Sequence, residues 1–290
     1  MDKIYIKARA KINLTLNVLN KRDDGYHNLE SIFQKVNLYD ELYIEKIKED
    51  KFKLTTNVQE INNNQNIIYK AYIELKSKYN QISGVRVKLN KRIPMQAGLG
   101  GGSTDCASFI LGINKLFKLN LSKQDMKKIG EKLGADVVPC LYNQPIKAEG
   151  KGEIITKIDT NCKYYILIIK PEFSCSTAKM YQKIDETYVE QQINTNKMIE
   201  ALENNNIYKI SQNLYNIFEE VIEERHIVDK VKSELIQNGA IGSLLCGSGS
   251  CIFGIFENKR QARQAYKVLK QKYNTYICFC YNRGENNDRK

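Results

Sequence analysis

Pro94-Met95-Gln96-Ala97-Gly98-Leu99-Gly100-Gly101-Gly102-Ser103-Thr104 is the stretch on which the reading of this chain turns. Just before it, Val85-Arg86-Val87-Lys88-Leu89 alternates apolar and polar residues as a strand does. Just after it, Cys106, Phe109, Ile110, Ile113, Leu116 and Phe117 recur at helical steps. A strand therefore feeds the glycines and a helix leaves them, with Ser103 and Thr104 where an N-cap belongs. Glycine reaches backbone angles that turn successive N–H groups to one side, and such a concave array binds anions. The helix N-terminus adds about half a positive charge. Residues Pro94 to Thr104 thus predict a triphosphate loop, with the Ser103 and Thr104 hydroxyls near phosphate or its cation. A flexible glycine hinge is the plainer alternative. The loop is not a Walker A motif, which ends in Gly-Lys-Ser/Thr. Nor is it a dinucleotide fingerprint, which needs glycine where Ser103 stands.

Toward the N-terminus, Ile4, Ile6, Ala8, Ile12, Leu14, Leu16 and Val18 alternate across residues 3–19, as one long bent strand or a pair. Strand-like patterning continues through 29–58. Asparagines cluster in a loop at 61–66, and Ile67, Ala71, Leu75 and Tyr79 mark a helix. Toward the C-terminus, Ser122 opens a helix that Gly134 closes. Tyr164–Ile169 reads as a buried central strand. Helices are predicted at 177–190, 195–203, 207–222, 227–238 and 259–273, and strands flank Gly247–Ser250 and occupy 275–281. A composition shift near 155–175 places a domain boundary there, giving domains at 1–158 and 159–284 and a disordered tail at 285–290. A chain of 290 residues suits two domains of moderate size.

Apolar residues make up 42% and charged residues 27%, ordinary for a soluble protein. Six residues is the longest apolar run, against roughly 20 needed to cross a bilayer. No export signal core is visible, so a cytoplasmic location and no membrane partner are expected. The eight cysteines include no Cys-x-x-Cys pair, and only His27 and His226 could join them, so reduced thiols are expected rather than disulfides or a protein-held metal. The net charge of +12 permits an anionic ligand or nucleic acid. Its lysines are scattered, however, and nucleic-acid tails are usually blocky.

Pro94–Thr104 with Asp105 resembles the phosphate loop of the GHMP kinase superfamily. Ala10-Lys11-Ile12-Asn13-Leu14 looks like that family's first motif, and Cys246-Gly247-Ser248-Gly249-Ser250 like its third. Lys11–Leu14, Asp24-Gly25-Tyr26-His27-Asn28-Leu29, Leu133-Gly134-Ala135-Asp136-Val137 and Ala148-Glu149-Gly150-Lys151-Gly152-Glu153 resemble one branch in particular. That branch phosphorylates a hydroxyl on a cytidine diphosphate ester of a methylerythritol, in non-mevalonate isoprenoid synthesis. The similarity spans about residues 5–260.

The resemblance implies an α+β fold of two domains, the first ribosomal-protein-like and the second ferredoxin-like, with nucleotide and substrate between them. It implies ATP as co-substrate with Mg²⁺, a small-molecule acceptor, no nucleic acid, and a monomer or homodimer. Asp136 matches the family's catalytic Asp and Lys11 its active-site Lys. By position alone, Asp136 after a Gly-Ala turn is equally a cap residue. Tyr26 and His27 match the loop that holds cytosine, with Tyr181 on the opposite side, although any one of 18 tyrosines can simply fill a core. Asn13 and Thr177 match substrate contacts. Asn66, Lys91 and Asp105 align with nucleotide-side positions. Gly247, Ser248 and Gly249 make a second anion nest or a tight strand-to-strand turn. The chain departs from the family at Val138-Pro139, where Pro usually comes one place earlier, at Asn143-Gln144 in place of Gly-Gly, and at Gln96. Two other readings stay open: a GHMP kinase with a homoserine- or mevalonate-type acceptor, and a non-enzymatic RNA-binding module.

Overall fold

The computed structural model describes residues 2–187, 189 and 195–282. Two compact units share the chain in alternating segments. The first holds Met1–Ala10, Leu38–Ile93 and Gly100–Tyr142; the second holds Lys11–Asn37, Pro94–Leu99 and Asn143–Lys290. The division passes through two long strands, β1 (Lys3–Lys21) and β2 (His27–Ile47). Residues 3–19 are therefore one strand rather than two.

In the first unit, β3 (Phe52–Thr56) runs parallel to β4 (Gly84–Asn90), which pairs antiparallel with Glu41–Ile47 of β2. The helices α1 (Ile67–Lys78), α2 (Gly101–Phe117), α3 (Lys123–Leu133) and α4 (Val137–Cys140) belong to this unit. Alternation supplies the sheet side of the core: Leu42, Ile44, Val85, Val87 and Leu89 are buried. The helical steps supply the other side: Ile68, Ala71, Tyr72 and Leu75 from α1, and Cys106, Phe109, Ile110, Ile113 and Leu116 from α2. Ser122 caps α3 as predicted. Its hydroxyl accepts from the Asp125 amide while the Asp125 carboxylate accepts from the Ser122 amide, so two otherwise orphaned donors are satisfied.

The start of α2 differs from expectation. Gly100, at φ 66°, is the N-cap, so Ser103 and Thr104 lie inside the first turn. A left-handed residue is needed to swing the chain from loop into helix, and glycine takes that angle without strain. The helix therefore begins within the glycines, and their amides, not a hydroxyl, stand at its end.

The second unit contains β5 (Ile146–Gly150), β6 (Ile154–Lys157), β7 (Tyr165–Lys170), α5 (Thr177–Glu186), α6 (Thr195–Glu203), α7 (Ile207–Gln212), β8 (Tyr215–Asn216), α8 (Arg225–Gln237), β9 (Gly242–Leu245), β10 (Ile252–Phe256), α9 (Lys259–Leu269) and β11 (Asn274–Phe279). Four of these strands form an antiparallel sheet ordered β11-β7-β10-β9. With α8 ahead of β9 and α9 between β10 and β11, this is the ferredoxin-like arrangement. The predicted central strand is there, with Ile166–Ile169 fully buried. Val228, Val231 and Leu235 of α8 and Ala262, Ala265 and Leu269 of α9 join the core.

The helix predicted over 207–222 stops at Gln212, because tertiary hydrogen bonds claim the next residues. Tyr215 and Asn216 pair with Thr15 and Leu16 of β1. The Asn216 side chain accepts from the Phe218 amide and donates to the carbonyls of Leu245 and Gly247. The helix predicted over 177–190 ends at Glu186; residues 188 and 190 lie outside the described residues, as do the 285–290 predicted as a tail. All eight cysteines are free thiols, seven of them buried. No helix among the described residues is long and apolar enough to cross a membrane.

Candidate active site

Position 11 decides the character of β1. Even-numbered residues Ile12, Leu14 and Leu16 face an apolar core, so odd-numbered Lys11, Asn13 and Thr15 share the other face, and these are buried as well. Buried polar groups require partners. The Lys11 ammonium donates to Asn13 Oδ1 at 2.8 Å, Asn13 donates to Ser31 Oγ at 2.7 Å, and Ser31 donates to the Thr15 carbonyl at 2.6 Å. The Lys11 ammonium also lies 5.0 Å from the centre of the Phe33 ring. This ladder fixes a positive charge only 4% exposed to solvent.

Two glycine turns meet at that charge. The Lys11 amide donates to the Leu99 carbonyl at 3.0 Å, and the Cys251 amide to the Ala97 carbonyl at 3.3 Å. Gly98, at φ 72°, lies so close to the neighbouring turn that a Cβ there would sit 1.7 Å from the Cys246 carbonyl oxygen. A Cβ on Gly247 would be 2.9 Å from the Gly98 carbonyl oxygen and 3.3 Å from the Lys11 ammonium. Glycine at 98 is thus required by both angle and space. The 246–250 turn is held rigidly: the Gly249 amide donates to the Cys246 carbonyl, Asn216 grips the Gly247 carbonyl, and Glu219 accepts from the Leu245 amide. Thr177, at the start of α5, shares a 2.8 Å hydrogen bond with Ser248. Residues 246–250 are therefore the tight strand-to-strand turn between β9 and β10. Pro94, Met95 and Gln96 form the outward part of the first turn, with Gln96 at φ 52°.

The first unit carries the rest of the loop on a buried cluster of charges. The Lys91 ammonium donates to Asp40 at 2.5 Å and to Asp105 at 2.7 Å. The other Asp40 oxygen accepts from the Arg92 and Ile93 amides, at the residues leading into the loop. A Cβ on Gly101 would lie 3.3 Å from the Lys91 ammonium. Burial and the neighbouring Asp40 push Asp105 well above the usual carboxylate range, against the pull of Lys91. The Thr104 hydroxyl is buried and donates to the Arg9 carbonyl at 2.6 Å. Asn66 caps α1, accepting from the Ile68 amide and donating to the Ile61 carbonyl. Thr104, Lys91 and Asp105 spend polar atoms on the protein, bracing the loop from behind, whereas those of Asn66 are spent on capping α1. Ser103 is half-exposed on the first turn of α2.

Asp136 stands at the N-terminus of α4 but does not cap it with its side chain. Pro139 is the third residue of that helix, where the amide it lacks has no intrahelical acceptor to meet. The displaced proline is thereby accommodated.

The Arg22–His27 turn lies in the second unit. Gly25 is at φ 81°, the Arg22 amide donates to the Tyr26 carbonyl, and Asp24 accepts from the Tyr26 amide. Tyr26 is 58% exposed, with the Lys151 ammonium 5.1 Å from its ring centre. His27 stacks on Tyr181 at 5.1 Å and 24°, and Tyr181 meets Phe218 edge-on at 5.2 Å. His27 Nε2 lies 2.6 Å from Asp185 Oδ1, and Asp185 Oδ2 accepts from Lys21 at 2.5 Å. Sequence reading missed Asp185, Asp40, Ser31 and Lys151 as contributors. Only Lys151 carried a signal, within the 148–153 motif.

Comparison with known proteins agrees with the sequence and the fold. The profile described as GHMP kinases N terminal domain matches residues 66–144, and that described as GHMP kinases C terminal matches 198–275. The 4-diphosphocytidyl-2-C-methyl-D-erythritol kinase of Caldicellulosiruptor saccharolyticus is 44% identical, over 92% of this chain and 93% of its own. A crystal structure of a 4-(cytidine 5'-diphospho)-2C-methyl-D-erythritol kinase superposes with a TM-score of 0.82 at 26% identity, covering 96% of this chain and all of the other. The homoserine kinase of Cytophaga hutchinsonii has the same fold, with a TM-score of 0.77 at 19% identity over 97% of this chain and 95% of its own.

Proposed function

This chain belongs to the GHMP kinase family, within it to the 4-diphosphocytidyl-2-C-methyl-D-erythritol kinases, and from that premise we infer how its residues carry the reaction. The enzyme moves the γ-phosphoryl group of ATP to its cytidylyl-methylerythritol substrate, a step in isoprenoid precursor synthesis, and the accepting group is the 2-hydroxyl. One observation supports the residue roles best: a lysine ammonium, 4% exposed, is fixed where two glycine turns meet. A buried charge is costly unless it has work or partners. Here it sits where transferring phosphoryl oxygens gain charge.

Phosphoryl transfer rests mainly on positioning and charge stabilisation. The amides of Gly98–Gly102 and the α2 terminus receive the ATP phosphates. Asp105, Lys91 and Thr104 hold that cradle in shape. Asp136 accepts the proton of the attacking hydroxyl as the oxygen–phosphorus bond forms and the bond to ADP breaks. Its side chain is not committed to capping α4, which supports this role over the cap reading. Lys11 steadies the developing charge, oriented by Asn13. Tyr26 and His27 take the cytosine, with Tyr181 backing His27. Thr177, Ser248 and the Gly247–Gly249 amides bind the remainder of the substrate.

No cluster of three or more His, Cys, Asp or Glu suited to a metal occurs among the described residues. Mg²⁺ would take most of its ligands from ATP and water, with the partly exposed Ser103 of the loop to hold it, and would offset phosphate charge. A coupled ADP-release assay tests the reading, with 4-diphosphocytidyl-2-C-methyl-D-erythritol, homoserine and mevalonate as separate acceptors. Turnover with the first alone is expected. Equal or greater turnover with either of the others would overturn the choice of acceptor.

A further inference from the structure

Asp185 is 158 residues from His27 and outside every motif quoted above, yet its carboxylate reaches the histidine ring. Its two oxygens have separate tasks. Oδ2 accepts from the Lys21 ammonium, and Oδ1 lies 2.6 Å from His27 Nε2. Lys21 and His27 hold the Asp185 carboxyl below its usual range, so it stays an ionised acceptor. An acceptor-only group beside Nε2 requires the proton to be on Nε2. The Tyr181 ring, stacked at 24°, and Phe218 behind it fix the plane of the imidazole. Nδ1, the other ring nitrogen, has no partner among the described residues. When the ring carries a single proton, the carboxylate holds it at Nε2 and Nδ1 is an acceptor.

We propose that Asp185 is a positioning residue for base selection: by holding the His27 proton on Nε2 it leaves Nδ1 as an acceptor, which suits the exocyclic amine of cytosine and opposes the oxygen that uracil presents at the same place. The proposal rests on the reading that His27 faces the base. Cytosine carries a donor where uracil carries an acceptor. Facing uracil, Nδ1 would meet a second acceptor, and a mispaired group of this kind lowers affinity by about tenfold or more. Without Asp185 the ring can shift its proton to Nδ1 and become a donor, and discrimination is lost.

The test uses the full-length protein with ¹⁵N-labelled histidine. There are two histidines, so the His226 signals serve as the internal reference. In the wild type, His27 is expected to show a protonated Nε2 and a bare Nδ1, and calorimetry is expected to find cytidine 5'-diphosphate bound about tenfold or more tighter than uridine 5'-diphosphate. Asp185→Asn should mix the tautomers and shrink the preference to about twofold; Asp185→Glu should restore part of both. A wild-type His27 protonated on Nδ1 would overturn the proposal, and needs no variant to fold. A preference for the cytidine ligand that Asp185→Asn leaves whole would overturn it while sparing the base-binding reading. A wild type that holds the Nε2 proton but binds both nucleotides equally would overturn that reading, and the proposal with it.

Discussion

On the mechanism proposed above, the glycine loop at Pro94–Thr104 and the turn at Arg22–His27 serve opposite ends of the reaction, one with its backbone and the other with its side chains. The loop works with its backbone. In that proposal its amides hold the phosphates, and the structure leaves no room for a side chain at its centre: Gly98 is pressed against the Cys246 carbonyl, and the polar residues around Gly101 face inward to one another. The turn works with its side chains. Tyr26 stands 58% exposed, and His27 is oriented by a ring and a carboxylate from α5. A backbone site is intolerant of change and contiguous in sequence. A side-chain site tolerates change one contact at a time and is assembled from distant residues.

The contrast is broken most severely at neither turn but at the acid between their tasks. Asp136→Ala should lower kcat by about 10²–10⁴ and leave the fold intact, checked by steady-state kinetics beside circular dichroism. Full activity would remove Asp136 from the mechanism. Gly98→Ala comes next. A methyl 1.7 Å from a carbonyl oxygen, at a left-handed angle, should destabilise the protein by about 1–3 kcal/mol and impair ATP and acceptor kinetics together. An unchanged Tm would contradict the close approach. Tyr26→Ala should leave Tm and the KM for ATP alone while raising the KM for the cytidine substrate about 5- to 100-fold, the value of one stacked base. If both KM values rose alike, side-chain and backbone tasks would not be separable in this way.

The smallest effect concerns Asp105. Burial, aided by Asp40, raises its native pKa above the ordinary 3.8, so the folded state keeps a proton that the unfolded chain has released. Its contribution to stability is present in full below that ordinary value and is lost as pH rises toward the raised one. Urea midpoints measured from pH 4 upward should therefore show a downward component that Asp105→Asn removes. An identical pH profile in the variant would mean that the carboxyl is ionised in both states.

Legibility in the sequence follows the same division. The loop could be read because its backbone demands are written in consecutive residues, strand then glycines then helix. The apolar periodicities of α1, α2 and β7 were equally local, as was the Ser122–Asp125 cap. The helix start at Gly100 was missed because a glycine N-cap looks like loop until its φ is known. The break at Asn213 was missed because hydrogen bonds to Leu245 and Gly247 create it, and helical spacing through 207–222 cannot report them. Asp185 and Asp40 were invisible for the same reason. Each acts on a residue far away in sequence, and nothing nearby marks the side chain as engaged.

The most direct measurement is a ³¹P NMR spectrum of the products formed from ATP, Mg²⁺ and 4-diphosphocytidyl-2-C-methyl-D-erythritol. Transfer to the 2-hydroxyl predicts ADP and one new phosphomonoester signal without proton splitting, because that carbon bears a methyl group and no hydrogen. ADP with inorganic phosphate alone, or a monoester signal split by neighbouring protons, would contradict the assignment.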